Sequence, residues 1–392
     1  MLEREKFNKS IAFSPFLEGL KIVSFLYLLT FFISCGDQSS NSTQRIENFK
    51  IDTLFIDSND EIIFLRDNLT FSHLLKDSLI IYNLNSGLPA IEKINLNKRR
   101  LEEIIPLEKE GPKGVGDWHI GFIGVNDSLL VLEGDNTFYF LNLHGEFLEK
   151  VRIEHLFFFV EELNGKNTSS GIFISGRIIY KIVQDWVSEE FSLLVYNIDE
   201  DTHKLIEIPL WQLVKSGSLI VEYPNGGKII SMKGFSISKI HQSIMISNGS
   251  YSQIVVYQKN FKETKIVNPP SKFYSDVEMI QEVPVFYSQD EAYAVLGELE
   301  NRMHFLPPIW DESSNKMLRW GYKKSSKNKD VEVLEYDNYL FVIDSAFNME
   351  KEYHFPQIRI KPHKNFLADN KIYLYNNFDD ELGFIRVWLD KL

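Results

Sequence analysis

Three adjacent residues have side chains suited to binding a ligand. Asp117, Trp118 and His119 follow a glycine-rich segment, residues 111–116, and place a carboxylate, an indole and an imidazole side by side. The carboxylate and the imidazole can form hydrogen bonds and exchange protons. Because the glycines indicate a turn, we predict that the three residues stand at the start of a strand and line the mouth of a binding site.

A second group of candidate binding residues lies in a C-terminal segment, residues 306–324. Trp and Arg are the residue types richest in interface anchors, and the segment falls in a long interval that suits an elaborated loop. Arg177 is a further candidate of the same type. The alternative is that the aromatic side chains only pack between structural repeats. The candidates of this segment are Trp310, Arg319, Trp320 and Tyr322.

The sequence contains no established catalytic motif. The nine His residues are scattered, without the spacing that zinc ligands use. Neither Gly-x-Ser-x-Gly nor Ser-x-x-Lys with recognisable partners marks a nucleophile, and residues 111–116 lack the Gly-Lys-Ser/Thr ending of a phosphate loop. Residues 199–203 are acidic but lack EF-hand spacing, which favours a solvated turn over a calcium site. We predict no metal or cofactor, and catalysis stays an open alternative because the separation of paired carboxylates cannot be read from a sequence.

Composition limits the classes of partner. The chain has 392 residues, of which 55 are acidic and 42 basic, giving a formal net charge of −13. No basic stripe interleaved with aromatic residues occurs, so nucleic acid is not a predicted partner. Hydrophobic residues make up 44% and aromatic residues 14% of the chain, which suffices for a large core and favours strands.

The only cysteine, Cys35, ends an apolar run. Residues 22–33 are apolar except for Ser24 and Thr30, and about 18 Å of helix is too short to cross a bilayer. The run is typical of a secretion signal. The sequence F-I-S-C resembles the lipobox of bacterial lipoproteins, in which the cysteine is lipidated and becomes the N-terminus, although Phe32 stands where leucine is usual.

These features predict three segments. Residues 1–34 form a lipoprotein signal peptide, whose long first part indicates that translation starts nearer Leu20. Residues 35–50 are polar and form a flexible tether, and residues 51–392 form the folded domain. We expect the protein to be anchored to a membrane of the cell envelope through a lipid on Cys35. The outer membrane is favoured, and the domain faces the periplasm or the cell surface.

A unit of short strands and tight polar turns recurs along the folded domain. Its clearest copy, residues 127–153, predicts strands at 129–133, 137–143 and 147–153 with turns at 134–136 and 144–146. Strands joined this closely must be antiparallel neighbours. Looser copies occur in five other segments, which are residues 77–96, 191–210, 242–267, 338–355 and 370–389.

Six such copies predict an all-β fold, a six-bladed β-propeller of antiparallel meanders. We expect early strands at 51–56 and 61–65 to complete the last blade beside the C-terminal strands, which closes the ring without a disulfide. Residues 99–111 have a helical composition, but Pro106 interrupts it. The alternative architecture is a two-domain β-sandwich.

Two segments resemble a known family. Gly111-Pro112-Lys113-Gly114, followed by Asp127-Ser128-Leu129, resembles a turn-and-strand pattern of six-bladed propellers in lipoproteins of the Bacteroidota. Residues 306–324 are similar to a segment of the DUF4221 family in that group. The resemblance implies a six-bladed propeller tethered to an envelope membrane, and it implies no activity.

Taken together, these patterns favour a lipid-anchored envelope propeller that acts as a binding or scaffold module for a protein, peptide or glycan. The alternative is a hydrolase or lyase that acts on envelope glycans, with its site at the propeller axis. A cluster of three or more titratable residues with perturbed pKa values at the axis would favour the enzyme.

Overall fold

The structure is a computed structural model, which describes most of the chain from residue 49 onward. The described residues belong to one structural unit, Asn48–Leu392. They are 49–116, 122–126, 128–134, 137–152, 166–185, 190–209, 219–222, 228–231, 234–258, 260–274, 285–288, 290–291, 301–325, 334–390 and 392.

The first strand, β1 (Ile51–Phe55), is separated from the strands that directly follow it and joins the last sheet of the chain. The next twelve strands form three sheets, named here blades 1 to 3. Blade 1 contains β2 (Ser72–Leu75), β3 (Ile80–Asn85), β4 (Ala90–Asn95) and β5 (Arg100–Pro106), with a short 3-10 helix, Lys76–Ser78, after β2. Blade 2 contains β6 (Phe122–Asn126), β7 (Leu129–Gly134), β8 (Thr137–Asn142) and β9 (Phe147–Arg152). Blade 3 contains β10 (Lys166–Ser175), β11 (Ile178–Asp185), β12 (Phe191–Asn197) and β13 (Thr202–Glu207).

The remaining strands form blades 4 to 6 and one small sheet. The small sheet contains β14 (Leu219–Glu222), β15 (Lys228–Ser231) and β20 (Val285–Phe286), and blade 4 contains β16 (Phe235–Ile240), β17 (Ser243–Asn248), β18 (Ile254–Gln258) and β19 (Glu263–Val267). Blade 5 contains β21 (His304–Phe305), β22 (Ile309–Asp311), β23 (Lys316–Lys324), β24 (Tyr336–Ile343) and β25 (Met349–Phe355). Blade 6 contains β26 (Asn365–Ala368), β27 (Lys371–Phe378) and β28 (Glu381–Trp388), completed by β1.

Within the described residues, the six antiparallel sheets are arranged as a six-bladed β-propeller, which confirms the predicted fold over the two-domain sandwich. The first strands of neighbouring blades contact one another. Strand β2 contacts β6, and β10 contacts both β6 and β16. These strands therefore line the axis. Consecutive residues of a strand point to opposite faces of its sheet. In blade 1, Ile81 packs towards blade 6 whereas Tyr82 packs towards blade 2, which explains why both residues are apolar.

The ring closes as the sequence predicts. Strand β1 pairs antiparallel with β28, so that Ile51 lies opposite Val387 and Phe55 opposite Gly383. The predicted strand at 61–65 was wrong, since this segment is part of the irregular connection between β1 and β2. Strand β1 alone therefore completes blade 6.

The structure also resolves one mixed composition signal and corrects one other expectation. Residues 99–111 have a helical composition, yet Arg100–Pro106 is the outermost strand of blade 1, because its apolar Leu101 and Ile105 are buried at the blade interfaces. Segment 306–324 is not a loop elaborated between blades, since most of it is the hairpin of β22 and β23 inside blade 5.

Chain direction gives the propeller two different ends. One end, named here the turn face, carries the tight turns between the first and second and between the third and fourth strands of most blades, such as residues 143–146. Blades 5 and 6 depart from this pattern, since β22 lies between β21 and β23 and no turn joins β28 to β1. The other end, named the loop face, carries the connections from the fourth strand of one blade to the first strand of the next. These connections are longer, as residues 56–71 and 107–121 show. A site that needs many loop side chains near the axis is therefore best built on the loop face.

Candidate functional site

The structure leaves the first predicted group untested. Asp117, Trp118 and His119 lie outside the described residues, as does Cys35. Their assignment to a binding site and to a lipid anchor therefore stays a prediction.

The three aromatic candidates of segment 306–324 are buried in the protein core. Trp320 is stacked on Phe355, with 5.1 Å between ring centroids, and its indole Nε1 donates a hydrogen bond of 2.8 Å to Asn338. Tyr322 belongs to the same cluster, whereas Trp310 packs between blades 4 and 5. A ligand on the surface has no direct access to these rings, which pack between sheets as the alternative reading describes.

Arg319 is also buried, with 2% of its surface exposed. Its guanidinium lies 4.4 Å from the ring centroid of Phe305. It donates hydrogen bonds to the carbonyl oxygens of Asn248, the last residue of β17, and of Tyr251 and Ser252 in the loop that leads to β18. Burial lowers the pKa of Arg319 to about 9. The residue thus ties the loop of blade 4 to blade 5, because backbone carbonyls replace the water that the cation loses.

Arg177 lies on the turn face, in the turn between β10 and β11, where it joins two blades. Its guanidinium forms ion pairs with Glu149 of blade 2, at 2.5 Å, and with Asp199 of blade 3, at 2.8 Å. These hydrogen bonds raise the pKa of Arg177. Because both carboxylates are paired with the guanidinium, Arg177 connects blades 2 and 3.

Near the axis, the structure brings together two residues that the sequence patterns missed. Lys364 directly precedes β26, the first strand of blade 6, and His73 lies in β2, the first strand of blade 1. Both therefore lie beside the axis, towards the loop face. The Lys364 amine donates a 3.2 Å hydrogen bond to the carbonyl oxygen of Thr70, which directly links the two blades. The Lys364 amine also lies 5.9 Å from the ring centroid of Phe366.

The electrostatics of this pair are unusual. Each side chain is enclosed by protein yet keeps part of its surface accessible. Burial lowers the pKa of Lys364 to about 8. Burial, together with the positive charges of Lys364 and Lys76, lowers the pKa of His73 to about 4. At neutral pH the lysine is charged and the histidine is neutral.

The connection between β1 and β2, residues 56–71, is fixed to blade 1 by a buried polar cluster. The carboxylate of Glu92 accepts hydrogen bonds from the side-chain amides of Asn83, at 2.8 Å, and Asn85, at 3.0 Å, and from the backbone amide of Phe64, at 2.9 Å. Burial raises the pKa of Glu92 despite these bonds. The cluster therefore holds the Phe64 part of this connection against blade 1.

The same connection exposes apolar surface on the loop face. Ile62 is 86% exposed, and Leu88, in the neighbouring turn between β3 and β4, is 66% exposed. The connection and the turn touch through a 2.7 Å hydrogen bond from Ser86 to Asp67. Ile62 and Leu88 therefore give the loop face two solvent-exposed apolar side chains, and exposed apolar surface is a feature of binding surfaces.

The described part of the chain shows no group of three or more His, Cys, Asp or Glu residues that could hold a metal ion. Two axial groups, Lys364 and His73, have strongly perturbed pKa values there. A catalytic site at the axis would be favoured by three or more titratable residues with perturbed pKa values, and these two are one fewer.

A family profile described as a domain of unknown function, DUF4221, matches residues 44–354. The chain belongs to the DUF4221 family. The profile ends at the fourth strand of blade 5, and the three C-terminal strands of blade 6 lie beyond it. The family resemblance seen in the Gly-Pro turn and in segment 306–324 is thereby confirmed.

Solved structures support the same fold. A member of the DUF4221 family from Bacteroides vulgatus is 13% identical, with a TM-score of 0.62, and the match covers 88% of this chain and 98% of that one. A Bacteroides fragilis protein predicted to be exported is 10% identical, with a TM-score of 0.51 and coverage of 88% and 96%. At these identities the likeness shows the fold alone. No curated protein matches the sequence.

Among the described residues, no helix is long and apolar enough to cross a membrane.

Proposed function

We propose that this DUF4221 chain is a binding module of the cell envelope, held at a membrane by a lipid on Cys35, and that its loop face binds a protein, peptide or glycan. The observation that carries the proposal is the difference between the two ends of the propeller. The loop face has the long connections, the exposed Ile62 and Leu88, and the axial Lys364 and His73. Most connections on the turn face are tight turns.

The export step of the proposal is supported by the sequence of the leader. An apolar run of signal-peptide length ends in F-I-S-C, and a polar segment follows Cys35. A tether of about fifteen residues would separate the propeller from the lipid by several nanometres at most. The outer membrane is the favoured location, with the propeller facing the periplasm or the cell surface.

The anchor is tested by the mass of the N-terminus of the protein purified from the envelope. We expect a diacylated or triacylated Cys35 as the first residue, and a Cys35→Ala variant that is released from the membrane. A mature protein that retains residue 34 joined to an unmodified Cys35 would contradict the anchor.

Binding at the loop face is tested by capture from solubilised envelope. The variant carries Ile62→Asp and Leu88→Asp, which place two charges on the exposed surface. The matched control is Leu148→Asp, because Leu148 is 53% exposed at the turn-face end of blade 2. We expect one saturable partner that the wild type and the control retain and the loop-face variant loses. Equal retention by all three proteins would rule out the loop face as the binding surface.

The glycan-directed enzyme is kept as the second candidate because of one observation. Lys364 has a pKa of about 8, near the range in which a group can exchange protons at neutral pH. Turnover of an envelope glycan that is lost in Lys364→Met, with the fold intact, would favour the enzyme over the binding module.

A further inference from the structure

We infer that Lys364 and His73 form an anion site at the loop-face end of the propeller axis, which binds the carboxylate or phosphate group of a small ligand or ligand terminus. The inference rests on the proposed binding role of the loop face and names the chemistry of the group bound there.

The two residues lie on neighbouring blades beside the axis. Lys364 is anchored at the start of the innermost strand of blade 6, and His73 lies in the innermost strand of blade 1. The hydrogen bond from Lys364 to Thr70, across 294 positions of sequence, holds the amine between the two blades. An ammonium group has three N–H donors, so the bond to Thr70 leaves donors for a ligand.

Within the described part of the chain, the two residues have no counter-charge. No carboxylate of the described residues forms an ion pair with Lys364 or His73. The other charges that act on His73, those of Lys364 and Lys76, are also positive. Buried or partly buried cations are normally paired. Among the described residues, the partly accessible Lys364 amine contacts the Thr70 carbonyl oxygen and the ring of Phe366, so its charge is incompletely compensated.

Partial burial of the Lys364 amine strengthens its attraction to an anion. A charge that is removed from bulk water attracts an opposite charge more strongly, because the effective dielectric constant is lower. Neutral His73 adds one ring N–H donor without adding a second positive charge. The pair therefore offers a charged and a neutral donor, which is a suitable set for the two or more oxygen atoms of a carboxylate or phosphate.

The inference is tested by calorimetric titration of the purified propeller with glucuronate, inorganic phosphate and uncharged glucose. We expect one of the two anions to bind and glucose not to bind. Lys364→Met should weaken anion binding by about tenfold or more, the effect of losing one charge-assisted hydrogen bond. The matched control is Lys323→Met, which removes a lysine at the loop-face end of β23, 5.5 Å from the ring centroid of Tyr339 and away from the axis.

Two further variants test whether a loss of anion binding comes from the site or from misfolding. Lys364→Arg keeps the positive charge and should retain most of the binding, while His73→Gln should weaken it less than Lys364→Met does. Binding of glucuronate assigns the site to a carboxylate, and binding of phosphate assigns it to a phosphate group. Absence of binding by both anions, or binding that survives Lys364→Met, overturns the inference.

The result is separable from the envelope capture experiment. Anion binding to the purified domain needs no partner, so the site can exist even if capture at Ile62 and Leu88 fails. Conversely, a partner captured through Ile62 and Leu88 without any Lys364-dependent anion binding would support the binding module and eliminate the anion site.

Discussion

Asp52 and Arg386 lie directly opposite each other in the seam that closes the propeller, although 334 positions separate them in the sequence. Arg386 donates two hydrogen bonds to the Asp52 carboxylate, of 2.7 Å from Nε and 2.5 Å from Nη2. This bidentate geometry raises the pKa of Arg386. Since the seam joins the two ends of the folded chain, each bond across it restrains the whole ring.

The first prediction concerns this seam. Arg386→Ala should lower the free energy of unfolding by about 1–2 kcal/mol, because a paired, partly buried guanidinium is lost. Chemical denaturation of the purified domain measures the change. The control is Lys98→Ala, which breaks a more exposed pair with Glu102 and should cost less than about 0.5 kcal/mol. Equal effects of the two substitutions would show that the Asp52–Arg386 pair contributes no more to the free energy of unfolding than an exposed pair does.

The second prediction concerns Arg319. Replacement by Ala leaves the carbonyl oxygens of Asn248, Tyr251 and Ser252 buried without their donor, and it opens a cavity beside Phe305. We expect a loss of about 3–5 kcal/mol. Arg319→Lys should recover only part of it, because an ammonium group cannot reproduce the planar fork of donors. Denaturation midpoints for the three proteins give the order, and an Ala variant as stable as the Lys variant would contradict this role.

The third prediction concerns a turn that the sequence identified. Gly145 lies between β8 and β9 with φ at +80°, a conformation that favours glycine. A Cβ atom at this position would collide with the side chain of Ile105. Gly145→Ala should therefore destabilise the domain by about 1–3 kcal/mol. Gly176→Ala is the control, since that glycine also has a positive φ but open space around it. The difference in unfolding free energy between the two variants isolates the collision.

The fourth prediction follows from the lowered pKa of Lys364. The folded-state pKa of about 8 lies below the ordinary value of 10.5. Between these values the unfolded chain binds more protons than the folded one, so the lysine's contribution to stability rises with pH across this window. The groups near Lys364 are the Thr70 carbonyl, the ring of Phe366 and the neutral His73.

Relative to Lys364→Met, the wild type should gain about 1–2 kcal/mol of unfolding free energy between pH 8 and pH 10.5. This is less than the ~3.4 kcal/mol of the full pKa shift, because solvent screens the partly accessible amine. At neutral pH the variant should match or exceed the wild type in stability, as happens where a functional group is retained at a cost to folding. Unfolding curves at several pH values give the difference. A difference that does not change with pH would show that the amine is freely solvated.

The sequence predicted the regular part of this fold well and the site poorly, for physical reasons. Local turn signals and the apolar strands around Gly145 specify a meander within about 25 residues, and each local choice agrees with the final blade. Arg100–Pro106 was not predicted as a strand because its composition suits a helix, while burial on two faces decides for a strand.

The sequence was also a poor guide to which residues could form a site. Trp320 and Arg319 have the chemistry of binding anchors, but only three-dimensional packing shows that both are enclosed. Lys364 and His73 have no motif around them, and their proximity arises only when blade 6 closes against blade 1. No local pattern could have paired residues so far apart in the chain.

The central claim is that the loop face binds a partner in the cell envelope, and photocrosslinking in intact cells tests it most directly. A benzophenone amino acid replaces Ile62 in one protein and Leu148 in the control, and irradiation joins each to whatever lies against it. We predict a discrete crosslinked species from position 62 and none from position 148. A discrete species only from position 148, or none from position 62 in envelope-located protein, would contradict the account.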